Sequence, residues 1–156
     1  MHSKENIFHT KNRNKFEHSY LWNDREIFLD SGYFKGLLYE KDNYHEESLR
    51  IKDFIDNSNL IPVINPVVVS EVLNFSVKAG IPAIDIDQYL HESNVVYPVT
   101  EQDHKNALSL NYEFDNKINF NDCMIILTMD NFDINRIVTF DRVFFKFQKF
   151  HIINDF

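Results

Sequence analysis

EIFLDSGYF, residues 26–34, runs apolar from Ile27 up to Asp30 and then breaks into Ser31 and Gly32. The apolar part reads as a short buried strand, so a carboxylate stands where the strand leaves the core. IVTFDRVFF, residues 137–145, repeats the word near the other end, with an apolar strand running into Asp141. Each aspartate has two readings. It is a helix N-cap that satisfies an orphan backbone N–H, or it is half of a metal site.

The chain between these two words alternates strands with helices. A strand at 27–29 leads into a helix from about Ser31 to Glu40, and HEESLRIKDFID, 45–56, follows as a second helix whose buried face is Leu49, Ile51, Phe54 and Ile55. LIPVIN, 60–65, is the second strand. Asn65 then caps a helix that Pro66 opens and Gly80 stops. PAIDIDQYLHES, 82–93, is helical and NVVYPV, 94–99, is the third strand. Thr100, with Asp103 three residues on, forms a capping box for a helix over 100–116, and Asn119 caps another over 120–132. NRIVTF, 135–140, is the fourth strand; a phenylalanine-rich helix and a last strand, FHIIN, close the chain. Strands separated by helices predict an α/β fold with a parallel sheet and helices on both faces. Residues 1–25 are polar and without apolar period; they read as an extension that need not be ordered, with Leu21 and Trp22 as its docking points, ahead of a domain at 26–156.

A chain of 156 residues, 44% apolar and 26% charged, is about one soluble domain with material for a core. The single cysteine, Cys123, makes no internal disulfide, and no secretory signal opens the sequence, so a reducing cytoplasm is the expected compartment. Apolar runs such as PVVVSEVLNF fall far short of the roughly 20 residues that cross a bilayer. The net charge of −8 works against phosphate-backbone binding, which draws on lysine and arginine, and suits divalent cations or a basic partner.

In open parallel sheets ligands gather outside the carboxyl ends of the strands, where Asp30 and Asp141 lie. If the two strands are neighbours, a spacing of about 4.8 Å brings the carboxylates near enough to share a cation. Glu71 adds to the pattern. At helical spacing its neighbours are Val67, Val68, Asn74 and Phe75, a mostly apolar face on which a carboxylate is paired, protonated or coordinating, unless the helix turns it to the solvent edge. Asp122, third in its helix, suits the helix dipole, yet Ile118, Ile125 and Ile126 surround it. Two carboxylates about 5 Å apart repel by roughly 3 kcal/mol at an effective dielectric of 20, so four in one pocket need a cation. Carboxylates are hard ligands that suit Mg²⁺ or Mn²⁺, and such an ion activates water and holds a phosphate. The chemistry this suggests is phosphodiester hydrolysis.

FLDSGYF, VVVSEVLNF, NFNDCMIIL and IVTFDRVFF, in that order, resemble the four acidic motifs of PIN-domain ribonucleases, in particular the VapC-type toxins of toxin–antitoxin systems. The resemblance runs from about Ile27 to the end. It implies a three-layer α/β/α sandwich with a central, mostly parallel sheet. It also implies a Mg²⁺- or Mn²⁺-dependent endoribonuclease acting on RNA, frequent homodimers, and a small antitoxin that blocks the site. It assigns Asp30, Glu71, Asp122 and Asp141 to catalysis and metal binding, with Ser31 as the hydroxyl residue after the first acid. Ser31, Asn121 and Thr139 are then expected as supporting or phosphate contacts. The chain departs from the family pattern in its long polar start, its acidity and Cys123, which stands where alanine is common.

Two other functional classes compete. One is a catalytically silent PIN-like module whose acidic pocket binds a basic protein partner, which the net charge motivates. The other is a phosphoacceptor receiver domain, set aside because the segment before FHIIN offers only Lys146 and Lys149 inside an expected helix. Seven histidines without HExxH or CxxC spacing argue against zinc. His45 reads as a surface or capping residue, Cys123 as a small core residue, and Phe144, Phe147 and Phe150 as core or dimer contacts rather than a base-stacking platform. Three glycines supply neither a P-loop nor a dinucleotide fingerprint.

Overall fold

The computed structural model describes residues 25–147 and 149–154. The expected N-terminal extension and its docking points Leu21 and Trp22 lie outside the described residues, Arg25 excepted. Five strands, β1 (Glu26–Leu29), β2 (Ile61–Ile64), β3 (Val95–Val96), β4 (Arg136–Val138) and β5 (His151–Ile153), form one sheet in the order β3-β2-β1-β4-β5. All four pairings are parallel. Six helices connect them: α1 (Ser31–Leu38), α2 (His45–Asp56), α3 (Pro66–Lys78), α4 (Ala83–Ser93), α5 (Glu101–Glu113) and α6 (Phe120–Asn131). Helix α1 packs on α2 and α3, and α3 on α4, while α5 and α6 form a separate pair. Right-handed crossovers put these two groups on opposite faces of the sheet, which gives the α/β/α sandwich.

The strand order positions everything that follows. The chain lays down β1, β2 and β3 in one direction, then returns across the sheet to place β4 on the free side of β1. The crevice at the carboxyl ends of β1 and β4 is therefore the topological switch point, the usual ligand site of such sheets. Phe28 pairs with Ile137 and Leu29 with Val138, so the next residues, Asp30 and Thr139, face each other.

Local chemistry set the helix ends. The Asn65 side chain accepts the Val68 N–H ahead of Pro66, and Gly80 takes a φ of +75° after α3. Thr100 and Asp103 form the reciprocal capping box. Helix α6 is buried through the whole run Cys123–Met129, so it is the central helix of its layer rather than an amphipathic surface one. Each of its larger buried side chains stabilises the fold by about 1.5–3 kcal/mol.

Four local expectations need correction. Strand β3 has only two residues, and α5 ends at Glu113, where Asp115 and Asn116 turn to positive φ. On α2 the buried residues are Ser48, Ile51 and Ile55, whereas Leu49 and Phe54 are exposed. Ser48 goes inward because it lies against Gly36 of α1, where a Cβ would come within 2.1 Å of its Oγ. The phenylalanine-rich segment is a 3₁₀ turn, Arg142–Lys146, and not an α-helix. Phe144, Phe147 and Phe150 are nonetheless buried core residues, since spacing of three suits a 3₁₀ turn as well as an α-helix.

Candidate active site

Asp30 leaves β1 and caps α1, as its cap reading expects. One carboxylate oxygen accepts the Ser31 N–H at 2.7 Å and the other accepts the Thr139 hydroxyl at 2.7 Å. Its backbone N–H donates to the Val138 carbonyl, which continues the β1–β4 ladder by one bond. Burial raises its pKa above the ordinary carboxylate range, the Thr139 and Ser31 bonds oppose that, the Asp141 charge adds to it and Lys35 relieves it.

Thr139 is the tie between the two strand ends. Its hydroxyl donates to Asp30 and accepts the Asp141 N–H at 3.1 Å. Asp141 in turn caps the 3₁₀ turn by accepting the Val143 N–H at 2.9 Å, and its side chain stays exposed. Ser31 makes the second link: its hydroxyl donates to Glu71 of α3 at 3.2 Å. Glu71 is half-buried, which is the solvent-edge reading, yet burial followed by the Asp30 charge still raises its pKa.

Asp122 completes the group from the first turn of α6. Its carboxyl is pushed up to about 7, first by burial and then by the charges of Asp30, Asp141 and Glu71. Four acids from four separate elements thus act on one another's charge across the switch point. Among the described residues no ion pair reaches any of the four. Nor do any three His, Cys, Asp or Glu side chains there stand close enough, as placed, to hold a metal ion. The fit to a divalent cation therefore rests on the donor set, all hard carboxylate oxygens whose mutual repulsion only the field of Lys35 opposes among the described residues.

Of the supporting residues expected from the sequence, Ser31 and Thr139 bond directly to the acids. Asn121 bonds to none of the four; its backbone N–H goes to the Asn119 side chain. Three features escaped the sequence reading. Lys35 is the cation whose field reaches Asp30 and Glu71, and its place one helical turn after Ser31 was a usable signal. Asn65 donates to Thr128 at 3.0 Å, joining the start of α3 to α6 and so linking the helices that carry Glu71 and Asp122. The ring of Tyr44 lies on Phe140, between Thr139 and Asp141 in sequence, and no local pattern announces that pairing.

The amino ends of the strands look different. A cavity of about 530 Å³ is lined there by Arg25, Leu60, Arg136 and His151 among others, with no carboxylate among the described residues of its wall. Cys123 is core, as expected, its thiol pushed up to about 11 by burial and then by the charge of Asp122. No helix among the described residues is long and apolar enough to cross a membrane.

Residues 27–149 match the family model of the PIN domain. No curated protein matches the chain. Among the solved structures similar in fold are VapC20 and VapBC2. Mycobacterium tuberculosis VapC20, a toxin that cleaves the sarcin–ricin loop, superposes with a TM-score of 0.68 at 18% identity, over 77% of this chain and 93% of that one. Rickettsia felis VapBC2, bound to a DNA fragment from its promoter, gives a TM-score of 0.61 at 13% identity, over 84% of this chain and 99% of that one.

Proposed function

Because this chain belongs to the PIN domain family, we propose that it is a divalent-metal-dependent endoribonuclease that hydrolyses RNA phosphodiester bonds as the toxin of a toxin–antitoxin pair. The observation that carries the reading is that acids from four separate elements meet at the switch point, with Asp30 bonded to Thr139, Glu71 bonded to Ser31, and the charges of Asp30, Asp141 and Glu71 all bearing on Asp122. Four like charges within one another's field repel, and a bound cation would relieve that repulsion.

Asp30, Glu71, Asp122 and Asp141 would hold Mg²⁺ or Mn²⁺. When bound, such an ion would supply charge stabilisation for the phosphate and lower the pKa of a water so that it could deprotonate and act as the nucleophile. The chain's own residues prepare that site. Thr139 fixes the Asp30 carboxylate against β4, and Ser31 orients Glu71. The Asn65–Thr128 bond keeps α3 and α6 in register. The relatives named toxin and VapBC support the antitoxin partner, and homodimers belong to the same proposal. Purified protein incubated with single-stranded and structured RNA, with Mn²⁺ or with chelator, tests it. Cleavage that is absent, or that continues unchanged in chelator, rules the mechanism out.

A second reading has one observation in its favour. No trio of the acids is close enough to ligate an ion as placed, and the pocket of a silent PIN-like module would instead receive a basic segment of a partner protein. A lysine- and arginine-rich peptide binding in chelator, lost on neutralising the four acids and accompanied by no cleavage, distinguishes it.

A further inference from the structure

The acidic site has an aromatic rim that its carboxylates do not explain. The rings of Tyr44 and Phe140 are stacked, with centroids 4.1 Å apart and planes 3° from parallel. Phe140 stands between Thr139, which holds Asp30, and Asp141, and its ring edge lies 3.6 Å from the position a Cβ on Gly32 would take. The stack is thus built into the segment that carries two of the acids. Tyr44 is 45% exposed. One of its faces is covered by Phe140.

Tyr44 is also held still. Its N–H donates to Asp42 at 2.8 Å, its carbonyl accepts the Ser48 N–H at 2.9 Å, and the next residue, His45, bonds through Nδ1 to the Gly36 carbonyl at 2.7 Å. Gly36 lets that turn seat on α1, since a Cβ there would come within 3.0 Å of the Tyr44 carbonyl oxygen. A platform fixed before binding loses little freedom when a ligand arrives. The second stacked pair, Tyr97 on Phe132 at 3.8 Å and 3°, shows what a purely structural stack looks like. Both of its rings are half-buried, and the Tyr97 hydroxyl donates to Glu26.

We propose that Tyr44, backed by Phe140, is a stacking subsite for an unpaired nucleobase of single-stranded RNA beside the phosphate that the acids engage. The inference rests on the nuclease reading and narrows its substrate to RNA with a flipped or unpaired base at that position. It also answers how a chain of net charge −8 holds a polyanion. Base stacking contributes affinity without cationic side chains and is tolerant of sequence.

The test uses a short single-stranded oligoribonucleotide with one 2-aminopurine, whose fluorescence is quenched on stacking, titrated with the full chain in chelator so that nothing is cut. Tyr44→Ala is expected to weaken quench-detected binding by roughly tenfold or more, the size of one lost base stack. Tyr44→Phe keeps the ring and stays within about twofold of the parent. In cleavage with Mn²⁺, Tyr44→Ala is expected to raise KM while kcat changes little. Binding and KM that are indifferent to Tyr44→Ala overturn the subsite, as does an equal loss in Tyr44→Phe. Tyr44-dependent quenching in a chain that cleaves no RNA supports the subsite and removes the nuclease reading alone.

Discussion

Strand β1 carries a buried acid at each end, Glu26 at 8% exposure and Asp30 at 7%. Burial is the first cause of a raised pKa in both. Glu26 has one described partner, the Tyr97 hydroxyl, its second oxygen is buried without a hydrogen bond, and no other carboxylate among the described residues acts on it. Asp30 has both oxygens satisfied and is surrounded by Glu71, Asp122 and Asp141. A buried acid is thus not yet a site. Convergence of several, each braced by a hydroxyl or a backbone N–H, is what separates the carboxyl end of the sheet from the amino end.

The sharpest way to break that contrast is Asp30→Asn, which keeps the shape and removes the charge. Cleavage is expected to fall about a thousandfold, since a metal-centred contribution of several kcal/mol is lost. Activity within tenfold of the parent would make Asp30 no more than a cap. Thr139→Ala comes next. It leaves one Asp30 oxygen without its donor, and a loss of about 10- to 100-fold in activity or Mn²⁺ affinity is expected, with Thr139→Ser restoring most of it. Serine failing to rescue would show that the methyl, not the hydroxyl, is what matters.

The pH dependence of stability gives a smaller and metal-sensitive difference. Asp122 has a folded-state carboxyl raised to about 7, so folding favours its protonated form. The stability that proton lends is complete below the ordinary carboxylate range near 4 and is lost as pH rises through about 7. Metal-free protein is expected to melt several degrees lower at pH 8 than at pH 5, with Mn²⁺ recovering the loss at pH 8 and Asp122→Asn flattening the profile. A metal-free Tm that climbs over that interval would contradict it. Glu26→Gln is the control at the other end of the strand. Cleavage should stay within about twofold, because Glu26 faces none of the site. Its raised pKa has the same sign, so the variant's Tm relative to the parent should become more favourable as pH rises above the ordinary carboxylate range.

Much of the fold was readable one element at a time, because caps and turns act over three or four residues. Asn65 before Pro66, Thr100 with Asp103, and Asn119 each announce a helix start that the structure contains. Errors fell where local signals conflict. Phe144, Phe147 and Phe150 fit periods of 3.0 and 3.6 alike, so apolar spacing could not tell a 3₁₀ turn from an α-helix. Leu49 and Phe54 read as buried on α2, yet the close seat of Ser48 against Gly36 rotates them outward. Lys35, one helical turn after Ser31, was within reach of local reasoning, whereas the Asn65–Thr128 bond and the Tyr44–Phe140 stack had no local signature.

The sequence by itself settled the order of the five strands and six α-helices and the hard, acidic chemistry available at the strand ends, since backbone propensity and side-chain identity are local properties. Tertiary structure alone decided that β4 returns to lie against β1, which brings Thr139 onto Asp30 across 109 positions of chain. Charges and hydrogen bonds act through space, so which acids share a field depends on sheet order, a quantity that no window of neighbouring residues contains.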